Sequence, residues 1–408
     1  MMYEGLLEKK LSNWAEDIRA EHNLPIELKL WNGQCFDLGT EEVPLVTLVV
    51  NTPKALPVLL EATLDSLGEA YINELIDIEG SMPDIIRMAF KLADVSKSPK
   101  GIIRRAAKLL TRTKEDDKES IQYHYDVSNE FYRLWLDENM LYSCGYFESE
   151  GVSLGQAQTA KIDHILQKIQ LKPGHRLLDI GCGWGSLVIR AAKHWGAQCV
   201  GVTLSEQQYH YAKERVRQEG LEDQVEIRLQ DYRELEGEFD RISSVGMFEH
   251  VGLVNLPEYF SKIAELLTPD GWAMNHGITS MSTSQGEDPI AGSDFIDKYV
   301  FPNGELPHIS LVLQIMQESG LEAFDVESLR RHYARTLSLW TEHYEAQSEA
   351  VRALVDEKTY RIWRVYLPGC AYAFDIGNVG IYQIVCSKAG RLSEQLPWTR
   401  EFIYEQKK

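Results

Sequence analysis

No stretch of this sequence is long and apolar enough to cross a bilayer; the best run, Val43 to Val50, has the length of a strand. The opening residues, Met-Met-Tyr-Glu-Gly-Leu-Leu-Glu-Lys-Lys, lack the apolar core of a signal peptide, so a cytoplasmic chain is expected. Cysteine is scarce. The six residues, at 35, 144, 182, 199, 370 and 386, form no C-x-x-C pair and no metal-ligand spacing. They read as reduced thiols, and no metal site is expected. Positive charge is also in short supply: 42 Lys and Arg stand against 62 Asp and Glu, a net charge of -20. That balance argues against general nucleic-acid binding, which depends on neutralising phosphates. What remains, 44% hydrophobic and 25% charged residues over 408 positions, is ordinary for a globular protein of two domains.

The most informative stretch is Leu177 to Gly185, Leu-Leu-Asp-Ile-Gly-Cys-Gly-Trp-Gly, in which an apolar strand breaks into alternate glycines before a helical pattern opens at Ser186. A buried strand feeding a Gly-rich turn and a helix is how a doubly wound sheet seats a nucleotide. Glycine is required because a side chain would hold the ligand off the backbone. The spacing, Gly181-x-Gly183-x-Gly185, is not the G-x-G-x-x-G that cradles a pyrophosphate. The region where a dinucleotide site carries its ribose-binding acid, Val200 to Ser205, has no carboxylate before Glu206. The pattern therefore favours S-adenosylmethionine over a nicotinamide dinucleotide. A bare tight turn is the alternative reading, and the length of the match argues against it.

Around this stretch the chain divides in two. Glu4 to Glu21 has helical spacing, and Leu24 to Leu38 and Val43 to Val50 read as strands interrupted by an Asn32-Gly33 hairpin signal. Leu64 to Gly80 reads as a turn mixed with strand-like residues. Ile85 to Lys114 is basic and amphipathic: Arg87, Lys91, Lys97, Lys100, Arg104, Arg105, Lys108, Arg112 and Lys114 face one acid, Asp94. In an acidic protein such helices fit an anionic membrane surface; the other reading is a helix pair packed on its own domain with a solvated basic face. The polar run 115–120 is the linker candidate, giving an N-terminal α+β domain over 1–114, in contact with lipid or membrane, and a catalytic domain over 121–408. In the second, strands at His175–Ile180, Gln198–Val202, Val225–Leu229, Phe239–Val245 and Gly271–Ile278 alternate for the most part with helices. The expected class is α/β, a Rossmann-like parallel sheet covered on both faces. Later strands are read at Leu321–Val326 and Val379–Cys386.

Ligands in such folds bind beyond the carboxyl ends of the strands. The second strand is followed by Thr203, Leu204, Ser205, Glu206, Gln207 and Gln208, whose hydroxyl and amide groups suit a ribose and an amino-acid moiety. The third is followed by Asp231 and Tyr232, an acid and an aromatic suited to adenine. The fourth and fifth lead into Glu249 and His276. A capping acid and a core histidine are the plain readings of that pair, but beside a methyl-donor site a functional pair is favoured.

The sequence resembles the cyclopropane-fatty-acyl-phospholipid synthases, relatives of the mycolic acid cyclopropane synthases, over nearly its whole length. The resemblance rests on His124-Tyr-Asp126, Tyr142-Ser-Cys144, Leu177–Gly185, Thr203–Gln208, Met247-Phe-Glu-His-Val-Gly252, Lys298-Tyr-Val-Phe-Pro-Asn-Gly304 and Tyr333-Ala-Arg-Thr-Leu337 with Trp340. Gly145 and Val127-Ser128 depart from the family pattern. The resemblance implies a methyltransferase-type sheet with a smaller N-terminal domain, and transfer of a methylene carbon from S-adenosylmethionine to a cis double bond of a phospholipid acyl chain. It implies bicarbonate as the base, held by Glu249, His276 and Tyr333 with main-chain contacts at Cys144 and Ile278. Tyr142 and Ser143 join the cofactor set with Leu177, Leu178, Asp179, Ile180, Gly181, Cys182, Gly183, Trp184 and Gly185. Tyr125, Phe147, Phe248 and Tyr299 are aromatic candidates for lining the acyl channel. Cys370 matches a cysteine treated as an active-site residue, though a thiolate would compete for the methyl group. The resemblance also suggests a homodimer peripherally associated with the inner face of the cell membrane.

Two other readings use the same motifs. One is a fatty-acyl phospholipid methyltransferase that leaves a methyl branch or a methylene. The other is a non-catalytic lipid-binding protein on the same fold, for which loss of Glu249 or the glycine loop would be expected; both are present.

Overall fold

The computed structural model describes residues 2–95, 128–283, 292–301, 304–392 and 395–404. They form two compact units, one of 2–95, 292–301 and 344–372 and a larger one of 128–283, 304–343 and 373–404.

The smaller unit holds a four-stranded sheet in the order β2-β1-β3-β4, with β1 Ile26–Leu30, β2 Cys35–Asp37, β3 Val46–Val50 and β4 Ile76–Gly80. The β1–β2 pair is antiparallel and turns at Asn32-Gly33, where Gly33 sits at φ +86°. Leu64–Ile72 is a helix, not the turn its sequence suggested. Its start is a capping box: Thr63 Oγ1 accepts the Ser66 N–H and Ser66 Oγ accepts the Thr63 N–H, two bonds that satisfy otherwise orphaned donors. The helix Met82–Val95 buries Met82, Ile85, Ile86, Met88 and Leu92, while Arg87 pairs with Asp84 at 3.3 Å. The rest of the basic stretch and the 115–120 linker lie outside the described residues.

The unit also takes in late segments that a linear division at the linker would leave with the catalytic domain. Arg361 and Arg364, on the helix Glu357–Asp375, account for one of them. Arg361 bonds Asp77 at 2.7 Å and the Tyr71 carbonyl at 3.0 Å; Arg364 bonds Tyr71 Oη at 2.8 Å and Glu345 at 2.9 Å. Such guanidinium contacts, of which Arg364–Glu345 is bidentate, join residues far apart in sequence and carry no periodic signature.

The larger unit is a seven-stranded sheet in the order β10-β11-β9-β8-β5-β6-β7. Its strands are β5 Arg176–Ile180, β6 Gln198–Thr203, β7 Val225–Leu229, β8 Phe239–Val245, β9 Leu267–Ser280, β10 Leu321–Ser328 and β11 Val379–Lys388. The first five run parallel, as expected, but β11 lies antiparallel between β9 and β10, so the sheet is mixed. Apolar periodicity reports which residues are buried and is silent on strand direction. One face packs Leu177, Met274 and Val385 against Ile162, Ile165, Val188 and Ala191. The other packs Leu178, Ile180, Ile242 and Ile384 against Phe260, Ile263 and Val312. Burial of each such side chain stabilises the fold by about 1.5–3 kcal/mol. Strand order reverses at β5, between β6 and β8, and a crevice opens there at the carboxyl ends of the strands.

Candidate active site

β5 ends at Ile180, and the chain turns through Gly181 at φ +78° and Gly183 at φ +54°. A Cβ on Gly181 would stand 2.6 Å from the Met247 side chain, whereas a Cβ on Gly183 would meet nothing within 4 Å. Gly183 thus leaves its backbone open to the cavity, which is where a ligand can lie against it. The cavity is lined by Tyr142, Ser143, Asp179, Ile180, Gly181, Cys182, Gly183, Trp184, Thr203, Leu204, Gln208 and Tyr232, all expected in the cofactor set.

The remaining members of that set do not line the cavity. Leu177 and Leu178 are core. Gly185 precedes the helix Ser186–Trp195, and Ser205 caps the helix Glu206–Gln218 by accepting the Gln208 N–H. Glu206 and Gln207 are exposed on that helix. The Asp231 carboxylate is engaged by the Arg233 guanidinium at 2.6 Å and by its backbone N–H at 2.9 Å.

Within the cavity, Asp179 Oδ1 accepts the Ser243 hydroxyl at 2.7 Å, and burial pushes the carboxyl up to about 6. Thr203 Oγ1 donates to Gln208 Oε1 at 2.9 Å, which fixes both side chains where β6 ends. Met247 and His250, from the Met247–Gly252 motif, also line it, as do Lys161, Met140 and Arg233, which were not anticipated. Lys161 had a signal that was easy to misread. With His164 and Lys168 it falls at i, i+3 and i+7 of Leu154–Lys168, the spacing of one helix face, and that face is buried. The face carries its own pairing: Lys168 Nζ contacts Glu327 at 2.5 Å and Gln383 at 2.8 Å, and His164 contacts Glu327 at 2.8 Å.

A second cluster follows β8 and runs along β9. Glu249, 7% exposed, accepts the Ile278 N–H on Oε1 at 2.6 Å, while Oε2 is buried with no partner among the described residues. Burial pushes its carboxyl up to about 7. His276 is 1% exposed, and neither ring nitrogen has a partner among the described residues. Burial, helped by the Lys161 and Lys168 cations, holds it well below the usual imidazole range, so the ring is neutral, with one donor and one acceptor nitrogen. Cys144 is fully buried, its thiol directed at the Gly145 carbonyl (3.2 Å) and the Leu329 carbonyl (3.8 Å). Leu329 in turn donates its N–H to Ile381, which faces Ile278 across β9 and β11. Tyr333, in the helix Arg330–Ala346, stacks edge-on to Trp340 at 6.0 Å and tilts over Phe374 at 4.7 Å. Rings continue from Trp340 through Tyr142 (5.3 Å) and Tyr132 (5.8 Å) to Trp184 of the glycine turn (5.2 Å). Of the channel candidates, Phe248 is core against Gly277, Phe147 lies under the Arg335 guanidinium, and Tyr299 bonds Glu69 in the smaller unit. Tyr125 and the rest of the His-Tyr-Asp motif lie outside the described residues. Cys370 belongs to the smaller unit, and burial pushes its thiol up to about 12.

Residues 112–384 match the family model of mycolic acid cyclopropane synthetases, and residues 13–100 match a domain of unknown function, DUF7884. The chain is 44% identical over 385 residues to a probable fatty acid methyltransferase of Pseudomonas putida, covering 94% of this chain and 97% of that one. It is 41% identical over 265 residues to the cyclopropane-fatty-acyl-phospholipid synthase of Escherichia coli K12, covering 65% of this chain and 66% of that one. The crystal structure of mycolic acid cyclopropane synthase CmaA1 complexed with SAH and CTAB superposes with a TM-score of 0.64 at 36% identity, over 66% of this chain and 98% of that one. The glycine turn, the cavity beside it and these likenesses agree: the chain belongs to the mycolic acid cyclopropane synthetase family of S-adenosylmethionine-dependent enzymes.

Proposed function

We propose that this enzyme adds a methylene carbon from S-adenosylmethionine across a cis double bond of an unsaturated phospholipid acyl chain, closing a cyclopropane ring, with bicarbonate as the base. When bound, S-adenosylmethionine supplies an electrophilic methyl group and bicarbonate accepts a proton. The observation that carries the reading is the buried cluster at Glu249 and His276. A carboxylate oxygen and two ring nitrogens, all buried without partners among the described residues, are costly unless a hydrogen-bonding ligand satisfies them. A small oxyanion that both donates and accepts fits that set. Glu249, spent on Ile278 at one oxygen, has the other to share a proton. Neutral His276 donates one N–H, and Tyr333 adds a hydroxyl. Because an alkene offers no acidic proton until it has been methylated, the base must act inside a site that excludes water. The rings from Trp184 to Tyr333 suit a transient cation. Lipid is reached through the 1–114 domain, whose basic residues face the anionic inner surface of the membrane, and a homodimer would hold two such faces on one bilayer.

Methyl addition without ring closure is the second reading, favoured by the name of the Pseudomonas putida relative. The test is incubation of pure protein with methyl-labelled S-adenosylmethionine and vesicles of cis-unsaturated phospholipid. Label should enter the lipid, and buffer stripped of carbon dioxide should slow its entry. A lipid fraction that stays unlabelled at saturating donor would reject the substrate class; indifference to bicarbonate would reject the base.

A further inference from the structure

Lys161 stands where the buried face of its helix should be apolar. It is 1% exposed, yet it lines the cavity beside Ser143, Asp179, Gly181 and Gly183. Its Nζ donates to Ser143 Oγ at 2.7 Å. An ammonium has three donors, and among the described residues no carboxylate is ion-paired with this one. The nearest acids are bonded elsewhere, Asp137 through both oxygens and Asp179 through one. Asp137 accepts the N–H groups of Asn139 (3.0 Å) and Leu141 (2.9 Å), and Asp179 accepts the Ser243 hydroxyl. Burial lowers the lysine to about 8, opposed by Asp137, Cys144 and Asp179, so it is still charged at neutral pH. A buried cation without an ion-pair partner, facing a cavity, is costly unless an anion arrives. Glu249 and His276 do not line this cavity, although the Lys161 charge reaches His276, so an anion that enters the cavity meets Lys161 before it meets them. S-adenosylmethionine brings a single carboxylate, on its methionyl end.

We propose that Lys161, steadied by Ser143, binds the methionyl carboxylate of S-adenosylmethionine. The inference rests on the cofactor occupying this cavity, and it is independent of what is methylated. It places the methionyl end against Leu154–Lys168, so that the amino-acid portion is anchored by charge and the adenosine by shape and neutral hydrogen bonds.

Calorimetric titration with S-adenosylhomocysteine and with its decarboxylated analogue, which keeps the amine, tests this without turnover. Wild-type protein should bind the parent about 10- to 100-fold more tightly, the range of a charge-assisted bond. Lys161→Met, which keeps length and loses charge, should weaken the parent by the same factor and move the analogue by less than about threefold. Ser143→Ala, at a half-buried position, is the variant to use if Lys161→Met does not fold. It should show a smaller loss, about three- to tenfold, again confined to the parent. Equal losses on both ligands would mean that Lys161 only shapes the cavity, and unchanged affinity for the parent would place the carboxylate elsewhere; either overturns the proposal. Wild-type protein that binds neither ligand would instead remove the cofactor site itself.

Discussion

Glu249→Gln separates what the buried carboxyl costs the fold from what it does for turnover. Desolvation raises this group from 4.5 to about 7, while the unfolded chain keeps it near the ordinary value. The folded state therefore holds a proton that the unfolded state has released. Stability must fall as pH rises from about 4.5 to about 7 and stay low above that. A rise of about 2.5 pH units, at about 1.4 kcal/mol each, amounts to roughly 3 kcal/mol by pH 8. Glutamine carries no charge and still accepts the Ile278 N–H, so it escapes that penalty. The variant should exceed wild type by less than about 1 kcal/mol at pH 5 and by up to about 3 kcal/mol at pH 8. Turnover should move the other way. Loss of one oriented group from a dry site costs about 3–4 kcal/mol at the transition state, a 10²- to 10³-fold drop. Affinity for S-adenosylhomocysteine should change less than about threefold, because Glu249 does not line the cofactor cavity. Denaturant melts at pH 5 and pH 8, run beside the label-transfer assay, read all of this. A variant with near-normal turnover and no gain at pH 8 would refute the reasoning, since neither the cost nor the role would exist.

Gly183→Leu should abolish S-adenosylhomocysteine binding by calorimetry while circular dichroism stays native, because its side chain would project into the open space beside the turn; retained affinity would remove the cofactor from this site. Cys370→Ala should keep turnover within about threefold, because a thiol pushed up to about 12 is protonated at neutral pH and is a poor nucleophile. Charge reversal at Arg104, Arg105 and Lys108 should weaken binding to anionic vesicles by about 1 kcal/mol per charge, and the effect should shrink with added salt.

Much of the larger unit was legible because its signals are local. The strand, turn and helix at Leu177–Trp195 follow from glycine spacing and apolar runs, and every strand expected there is present within a few residues of its bounds. The reversed direction of β11 was out of reach, since a fully buried strand reads alike in either direction. Leu64–Ile72 was missed because Gly68 and Tyr71 weakened the helical pattern; the decisive signal was the Thr63–Ser66 box. Glu249 and His276 were singled out from their position after strands, and both are buried. Lys161 was missed because a charged residue on an amphipathic helix is ordinarily solvated, and only its burial marks it out. The contact between Asp231 and Arg233, two residues on, was likewise not read from the sequence. Tertiary pairing of that kind has no signature in composition or period.

The central claim is ring closure, and the carbon itself can report it. S-adenosylmethionine carrying a ¹³C methyl group, incubated with the enzyme and a cis-unsaturated phospholipid, places one labelled carbon in the product. That carbon is expected as a ring methylene, at the high-field position and carrying two hydrogens, in lipid that has gained CH2 and lost its alkene. A labelled methyl group on a branched chain, or a labelled exomethylene carbon at low field, would contradict it.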